Sequence, residues 1–455
     1  MRFYDVFCFI LLKESGMLIL YIDPGTGSML FAILIGVLGA AGFVFRNVIA
    51  KVRFMLTGGK GKKEEMKKQP LVIFSDDKRY WKNFEPVCRE LDKRGFDVAY
   101  MTASEDDPAL NNPYEHIHGE FIGAGNKAFY KLNFLNANVV FATTPGLDVY
   151  QWKRSKNVDY YVHIAHMPND ITLYRMFGID YYDAVLLSGD YQIDQVRKLE
   201  ELRGLPEKEL VKVGLPYMDD MAARLAADTE TEDKSVKTVL LAPSWGKSAI
   251  FARFGGRIIT ELLKTDYHII VRPHPQSVSS EKEMLDKLMK EFPDSDRLEW
   301  NYDNDNYNVL KRSDVLISDF SGVLFEFSLV YDKPVIYTNT GFDWAEYDQW
   351  WLEDELWTFK TLPSLGAELT EESFEQLASI IDECLNDPKY AQNRQTARDE
   401  TWANYGHGAE AVADYLINKC EELKNKGSDK KEPDKKQAKN KKTKDKKSKR
   451  KEEKK

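Results

Sequence analysis

The sequence predicts an α/β protein in which two Rossmann-like domains face a cleft, preceded by one N-terminal transmembrane helix. Three observations carry that expectation. Between residues 71 and 390, short apolar runs alternate with stretches of helical spacing, the pattern of parallel strands joined by helical crossovers. A polar, charged stretch at 226–237 divides the series into two halves. Ahead of both lies an uncharged run, 24–45, which as a helix reaches about 33 Å, the hydrocarbon thickness of a bilayer.

Basic residues follow that run directly: Arg46, Lys51, Arg53, Lys60, Lys62, Lys63, Lys67 and Lys68. The positive-inside rule therefore places the remainder in the cytoplasm, as the catalytic part of a single-pass protein of the cell membrane. A cleaved signal peptide would carry its basic end before the apolar core. Asp23-Pro24-Gly25-Thr26-Gly27 reads as a turn that caps the helix. Residues 3–12 are apolar but too few to span, and Met17 is a second candidate start. The anchor is assigned to 1–56 and a Gly/Lys linker to 57–69.

The first half, 70–225, begins with an apolar strand at 71–75 and a helix at 80–94 that stops at Gly95. Strands follow at 96–102, 138–143, 160–165 and 184–188, then an amphipathic helix at 190–202. Val213-Gly214-Leu215-Pro216 closes this half. After the 226–237 linker, the second half, 238–390, reads as strand 238–242, helix 255–264, strand 268–272 and helix 281–292. It continues with strand 315–318, helix 321–330 and strand 334–337. Helices at 371–385 and 394–423 end the fold, the last (assigned to 391–423) long enough to pack back across both halves. Residues 424–455 are nearly devoid of apolar side chains and read as a disordered Lys-rich tail.

At 455 residues, 43% of them hydrophobic, the chain has material for two or three cores. Its formal charge of −9 is uneven: the tail holds 17 Lys/Arg against 6 Asp/Glu, net +11, which leaves −20 on the rest. An acidic body argues against general nucleic-acid binding, and the lysine run suits anionic lipid headgroups. Cys8, Cys88, Cys384 and Cys420 are scattered, as in a reducing compartment, and form no zinc-type pair. No metal and no cofactor is expected.

Two runs carry the chemistry. Val271-Arg272-Pro273-His274-Pro275 ends a strand, and its prolines restrict the backbone around His274. Arg272 offers a planar fork for phosphate, and His274 a group to neutralise or protonate a leaving phosphate. Ser318-Asp319-Phe320-Ser321-Gly322 ends another strand and opens a helix, whose free N–H groups attract phosphate, with Gly322 permitting close approach. Asp319 or Ser321 as a plain helix cap is the competing reading. Glu326, one turn on, is in reach of a sugar hydroxyl or faces solvent. In the first half, His163-Ile164-Ala165-His166-Met167-Pro168 follows a strand; His166, nearer the loop, is the expected catalytic base and His163 a core residue. Ala242-Pro243-Ser244-Trp245-Gly246-Lys247 leaves a strand with Ser244 and Lys247 as substrate contacts or as plain loop. The aromatic group Phe342, Trp344, Tyr347, Trp350, Trp351 and Trp357 suits core or interface packing.

These motifs resemble the CDP-glycerol glycerophosphotransferase family, bacterial enzymes that prime and polymerise teichoic acids. The likeness spans roughly 138–386 and is closest at Ala242–Trp245, Arg272–Pro275 and Ser318–Lys333. It implies a GT-B-type fold without a metal. By resemblance, the family's Trp-His-Gly-Thr-Pro histidine falls on His166 and its His-Pro-His-type histidine on His274. Here the first motif lacks the tryptophan and the glycine, and Glu326 stands where an aspartate is usual. The implied activity is transfer of a polyol-phosphate from a CDP-linked donor to a lipid-linked acceptor at the membrane. The residues by themselves also allow a GT-B glycosyltransferase using a UDP- or CMP-sugar for capsule or glycolipid, or a membrane-tethered scaffold with a degenerate cleft. Assembly into a homo-oligomer is left open.

Overall fold

The computed structural model describes residues 68–229, 236–303, 305–338 and 344–429. The expected anchor, the first linker up to Lys67 and most of the Lys-rich tail lie outside the described residues; the linker's last residue, Gln69, already begins the first strand. Among the described residues, no helix is long and apolar enough to cross a membrane.

Two parallel sheets form the framework. The first holds seven strands: β1 (Gln69–Ser75), β2 (Val98–Thr102), β3 (Ile117–Phe121), β4 (Asn136–Ala142), β5 (Asn157–Ile164), β6 (Ala184–Leu187) and β7 (Glu209–Lys212). Their order is β3-β2-β1-β4-β5-β6-β7. The second holds six: β8 (Thr238–Leu241), β9 (His268–Val271), β10 (Leu298–Trp300), β11 (Val315–Ser318), β12 (Val335–Tyr337) and β13 (Gly366–Glu368), in the order β10-β9-β8-β11-β12-β13. Every neighbouring pair is parallel. The order in which strands are added reverses between β1 and β4 in the first sheet and between β8 and β11 in the second. A ligand of an open α/β sheet sits beyond the strand ends at such a reversal.

The nine strands expected from apolar runs are the interior ones. The four without a sequence expectation, β3, β7, β10 and β13, are the edges. An edge strand of Ile-His-Gly-Glu-Phe or Glu-Leu-Val-Lys covers little core and needs no continuous apolar run. Apolar clusters line both faces of each sheet, for example Leu71, Phe84 and Phe141 on one face of the first and Val72, Phe74 and Val140 on the other.

The helix expected at 255–264 forms as Arg257–Leu263, and a short helix without a sequence expectation, Ile250–Phe254, precedes it, parted from it at Gly255, whose φ is 55°. One expected helix is broken: 394–423 becomes Lys389–Thr401 and Gly408–Asp429. The turn between them is held by Asp219, which accepts from Trp402 Nε1 (2.8 Å) and from the N–H groups of Gly406 (2.7 Å) and Gly408 (2.9 Å). Gly214, with φ 87°, lies so near that a Cβ there would overlap the Ala403 carbonyl oxygen. The first of these helices is tied to the second half through Arg394–Asp332 (2.8 Å). The second buries Val412 and Leu416 with Leu71 and Phe84 of the first. The chain therefore crosses back as expected, through a turn rather than one rod. The last helix runs to Asp429, six residues beyond the boundary at Leu423 that the sequence suggested.

A strap from the second half also grips the first. Asp348 accepts from Phe177 N (2.7 Å) and Gly178 N (3.2 Å) and pairs with buried Arg203. Trp351 Nε1 meets Met176 Sδ at 3.2 Å, and Trp357 stacks on Tyr191 at 4.5 Å. These members of the aromatic group pack the junction; Phe342 lies outside the described residues.

Candidate active site

At the reversal of the first sheet, β4 ends in two consecutive threonines that serve opposite neighbours. Thr144 Oγ1 donates to Asp76 Oδ1 at the end of β1 (2.8 Å). Thr143 Oγ1 donates to the Ile164 carbonyl (2.9 Å) and lies 2.7 Å from His166 Nδ1. A hydroxyl has one proton, so Thr143 accepts from Nδ1–H. The imidazole is thereby held with Nε2 bare. Burial, then the Lys82 charge, push the His166 pKa down to about 4, against a smaller opposing pull from Glu326. The ring is neutral at physiological pH, with a free basic nitrogen. Tyr80 packs edge-on against it at 5.2 Å. His163 differs: it is fully buried on β5, bonded through Nε2 to Tyr174 Oη (3.1 Å), with Nδ1 unpartnered. It belongs to the core.

The second sheet presents a histidine of the opposite kind. His274 caps the helix Pro275–Ser280, its Nδ1 accepting from Gln276 N–H (3.1 Å). Its proton is therefore on Nε2, which is a donor. Burial and then Arg79 push this ring to about 4 as well. At physiological pH His274 is therefore a neutral N–H donor. Both histidines bind protons less readily folded than unfolded. The stability they contribute is complete above pH 6.5 and declines as pH falls toward about 4.

Three expected ligand contacts instead organise the protein. Arg272 spends four of its five N–H donors on Asn301, the Asp303 carbonyl (2.6 Å) and Asn306 (2.8 and 3.2 Å). A guanidinium so engaged holds Asn301, Asp303 and Asn306 together, with one N–H donor left over. Asp319, fully buried, accepts from the N–H groups of Ser244 (2.9 and 3.1 Å), Ile250 (3.1 Å) and Phe320 (2.8 Å). It knits the β8 exit loop to the β11 end, and Ser244 is buried with it. Glu326, 2% exposed, accepts from Tyr217 Oη (3.1 Å), Asn306 Nδ2 (2.9 Å) and Lys82 Nζ (3.5 Å). Burial opposes its ionisation, yet Lys82 and these hydrogen bonds hold its carboxyl below the usual range. It is neither solvated nor free for a sugar.

Ser321 and Gly322 lie at the turn after β11, where the helix is one α turn, Val323–Phe325, followed by a π turn, Glu326–Val330. The close approach that Gly322 permits is taken by Met167, whose sulfur a Cβ there would overlap. Met167 directly follows His166, so this contact brings the His166 segment to the second sheet's loop. Lys82, in the helix Trp81–Lys93, and Glu326 make a second bridge between the two halves.

Asp76, Arg79, Tyr80 and Lys82 had no sequence expectation beyond a helix start. Their signal was present, because Ser75-Asp76-Asp77-Lys78-Arg79-Tyr80 leaves the first strand just as the other motifs leave theirs. Replacing Lys82 with methionine removes a cation beside His166 and leaves Glu326, so the His166 pKa is expected to rise from about 4 toward the ordinary 6.5. Lys82→Arg is expected to leave it low. NMR titration of the His166 ring checks both; an unchanged midpoint in the methionine variant contradicts the assignment. Among the described residues, no group of His, Cys, Asp and Glu is arranged to hold a metal ion.

Two doubly wound parallel sheets, their strand-end loops meeting, define the GT-B-like class. The chain belongs to the CDP-Glycerol:Poly(glycerophosphate) glycerophosphotransferase family, whose profile matches residues 63–418. That match is wider than the likeness seen at the motifs, and makes the protein an enzyme of this family. Among solved structures, it is similar to the wall teichoic acid polymerase TagF soaked with CDPG, at 15% identity over 83% of this chain and 98% of that one, TM-score 0.51. It is also similar to the UDP-GlcNAc 2-epimerase of Methanocaldococcus jannaschii, at 14% identity over 76% and 99%, TM-score 0.51. The S. aureus MnaA–UDP structure matches at 12% identity over 76% and 96%, TM-score 0.50. At these identities the likeness is one of fold. No curated protein matches the sequence.

Proposed function

We propose that this enzyme moves glycerol-phosphate, or a related polyol-phosphate, from a CDP-linked donor to a lipid-linked acceptor at the membrane, in synthesis of a teichoic-acid-like surface polymer. The observation that carries the reading is the complementary protonation of the two histidines: His166 presents a bare nitrogen and His274 an N–H donor. His166 Nε2 takes the proton from the acceptor hydroxyl. That oxygen forms a bond to the phosphorus bearing the glycerol, and the bond from this phosphorus to the bridging oxygen breaks. CMP leaves with the electron pair, its phosphate accepting a hydrogen bond from His274 Nε2–H. His274 keeps its proton throughout: with Nδ1 accepting from Gln276 N–H, the ring acts as a hydrogen-bond donor to the departing phosphate, not as an acid. Ser321 and the Gly322 backbone face the same phosphates; Arg272 and Asp319 hold the loops that present them. The single-pass anchor at 24–45 would keep the enzyme at its acceptor, with the Lys-rich tail on anionic headgroups.

Thermal-shift measurements with CDP-glycerol, CDP-ribitol, UDP and CMP test the donor. A shift with CDP-polyols is expected; a response to UDP alone overturns the proposal in favour of a sugar transferase.

A further inference from the structure

We propose that Asp76 selects the acceptor by receiving the hydroxyl adjacent to the one His166 deprotonates, so that the site reads a vicinal diol. This rests on the transferase reading above.

The argument is the placement of two hydrogen-bond acceptors around the end of one strand. Thr143 orients His166 on the β5 side of β4, and Thr144, the next residue, orients Asp76 on the β1 side. Tyr80, four residues beyond Asp76, sets its ring edge-on against His166 at 5.2 Å. Tyr182 Oη donates to the Thr144 carbonyl (2.6 Å), so the threonine that holds Asp76 is itself held.

Asp319 also follows a strand that flanks a reversal, β11 of the second sheet, and shows what a framework aspartate looks like here. It is fully buried, and both of its oxygens are taken by backbone N–H groups. Asp76 is only half-buried; Thr144 donates to its Oδ1, and its own backbone N–H also bonds the carboxylate. The nearby cation, Arg79, is already paired with Asp77 through Nε (2.8 Å) and Nη2 (3.1 Å). Burial raises the Asp76 pKa, and the hydrogen bonds from Thr144 and from its own backbone N–H only partly offset that. A carboxylate kept at this cost, with lone pairs left to accept, and held from the strand end that also orients His166, is suited to a ligand hydroxyl. A hydroxyl on the neighbouring carbon of a glycerol terminus supplies one. An acceptor lacking it would leave Asp76 desolvated without a partner, which is how polar sites reject deoxy analogues.

The test uses the full chain in detergent, with CDP-glycerol as donor and two acceptors on the same lipid. One acceptor ends in glycerol phosphate and the other in 3-hydroxypropyl phosphate, which lacks the second hydroxyl. Wild type is expected to favour the diol in kcat/KM on the order of 10²-fold. Asp76→Ala is expected to bring that ratio close to unity, and Thr144→Val to reduce it partway. Because each ratio is taken on one preparation, partial misfolding cancels. A wild-type ratio near unity, or an Asp76→Ala ratio equal to wild type, overturns the inference while leaving the transferase reading intact. Transfer to neither acceptor by wild type overturns that reading, and this inference with it.

Discussion

Replacing His166 with alanine is expected to lower kcat for polyol-phosphate transfer by about 10²–10⁴-fold, the range of a lost general base, with donor affinity unchanged. The expectation follows from geometry. Thr143 cannot donate to both the Ile164 carbonyl and the imidazole, so Nδ1 carries the proton and Nε2 is free to take one. Thr143→Val keeps the base but releases its tautomer, so a smaller loss in kcat is expected from it. Steady-state rates with CDP-glycerol, and calorimetric donor binding by each variant, separate chemistry from binding. His274→Ala should also slow turnover, through the departing phosphate. Normal turnover in both His166→Ala and His274→Ala would sink the mechanism.

The second large effect is on the fold around the donor loops. Asp319→Ala is expected to destabilise the protein by about 3–5 kcal/mol, because three backbone N–H groups lose a buried acceptor at roughly 1–3 kcal/mol each. Those groups, on Ser244, Ile250 and Phe320, set the path of the loop that leaves β8. Burial pushes the Asp319 carboxyl up to about 6 despite them. Its own linkage therefore runs opposite to that of the histidines: this group favours the folded state more as pH falls from about 6 toward 3.8. Acid sensitivity of the fold should accordingly track His166 and His274, not Asp319. Chemical denaturation of Asp319→Ala at pH 7, with exposed Asp354→Ala as reference, measures the cost. Equal midpoints for the two would contradict the framework role.

How far the site was legible varies by residue. The positions of His274, Asp319 and Gly322 followed from strand ends, since a polar residue at the close of an apolar run is visible in one dimension. Their orientation was not visible. Arg272 and Glu326 are ordinary charged residues in sequence; only the arrival of Asn301, Asn306, Tyr217 and Lys82 from distant segments turns them inward. Gly322 was legible as a point of close approach, but not that Met167 would be what approaches. Lys82 and Asp76 are ordinary charged residues at a helix start in sequence; only Glu326 and Thr144, from distant segments, give them partners.

By itself the sequence determined the interior strands and their crossovers. An interior strand of a parallel sheet is buried on both faces, and that burial demands an unbroken apolar run. It also placed the chemistry at strand ends, and singled out the two histidines. Tertiary structure alone decided the edge strands, which pair through the backbone and make little demand on side chains. It decided the break at 402–407, where Asp219 collects a turn from far along the chain. It decided, above all, the protonation of His166 and His274. A tautomer is set by whichever hydrogen-bond partner the fold brings to the other ring nitrogen, and for His166 that partner is a threonine on a neighbouring strand end.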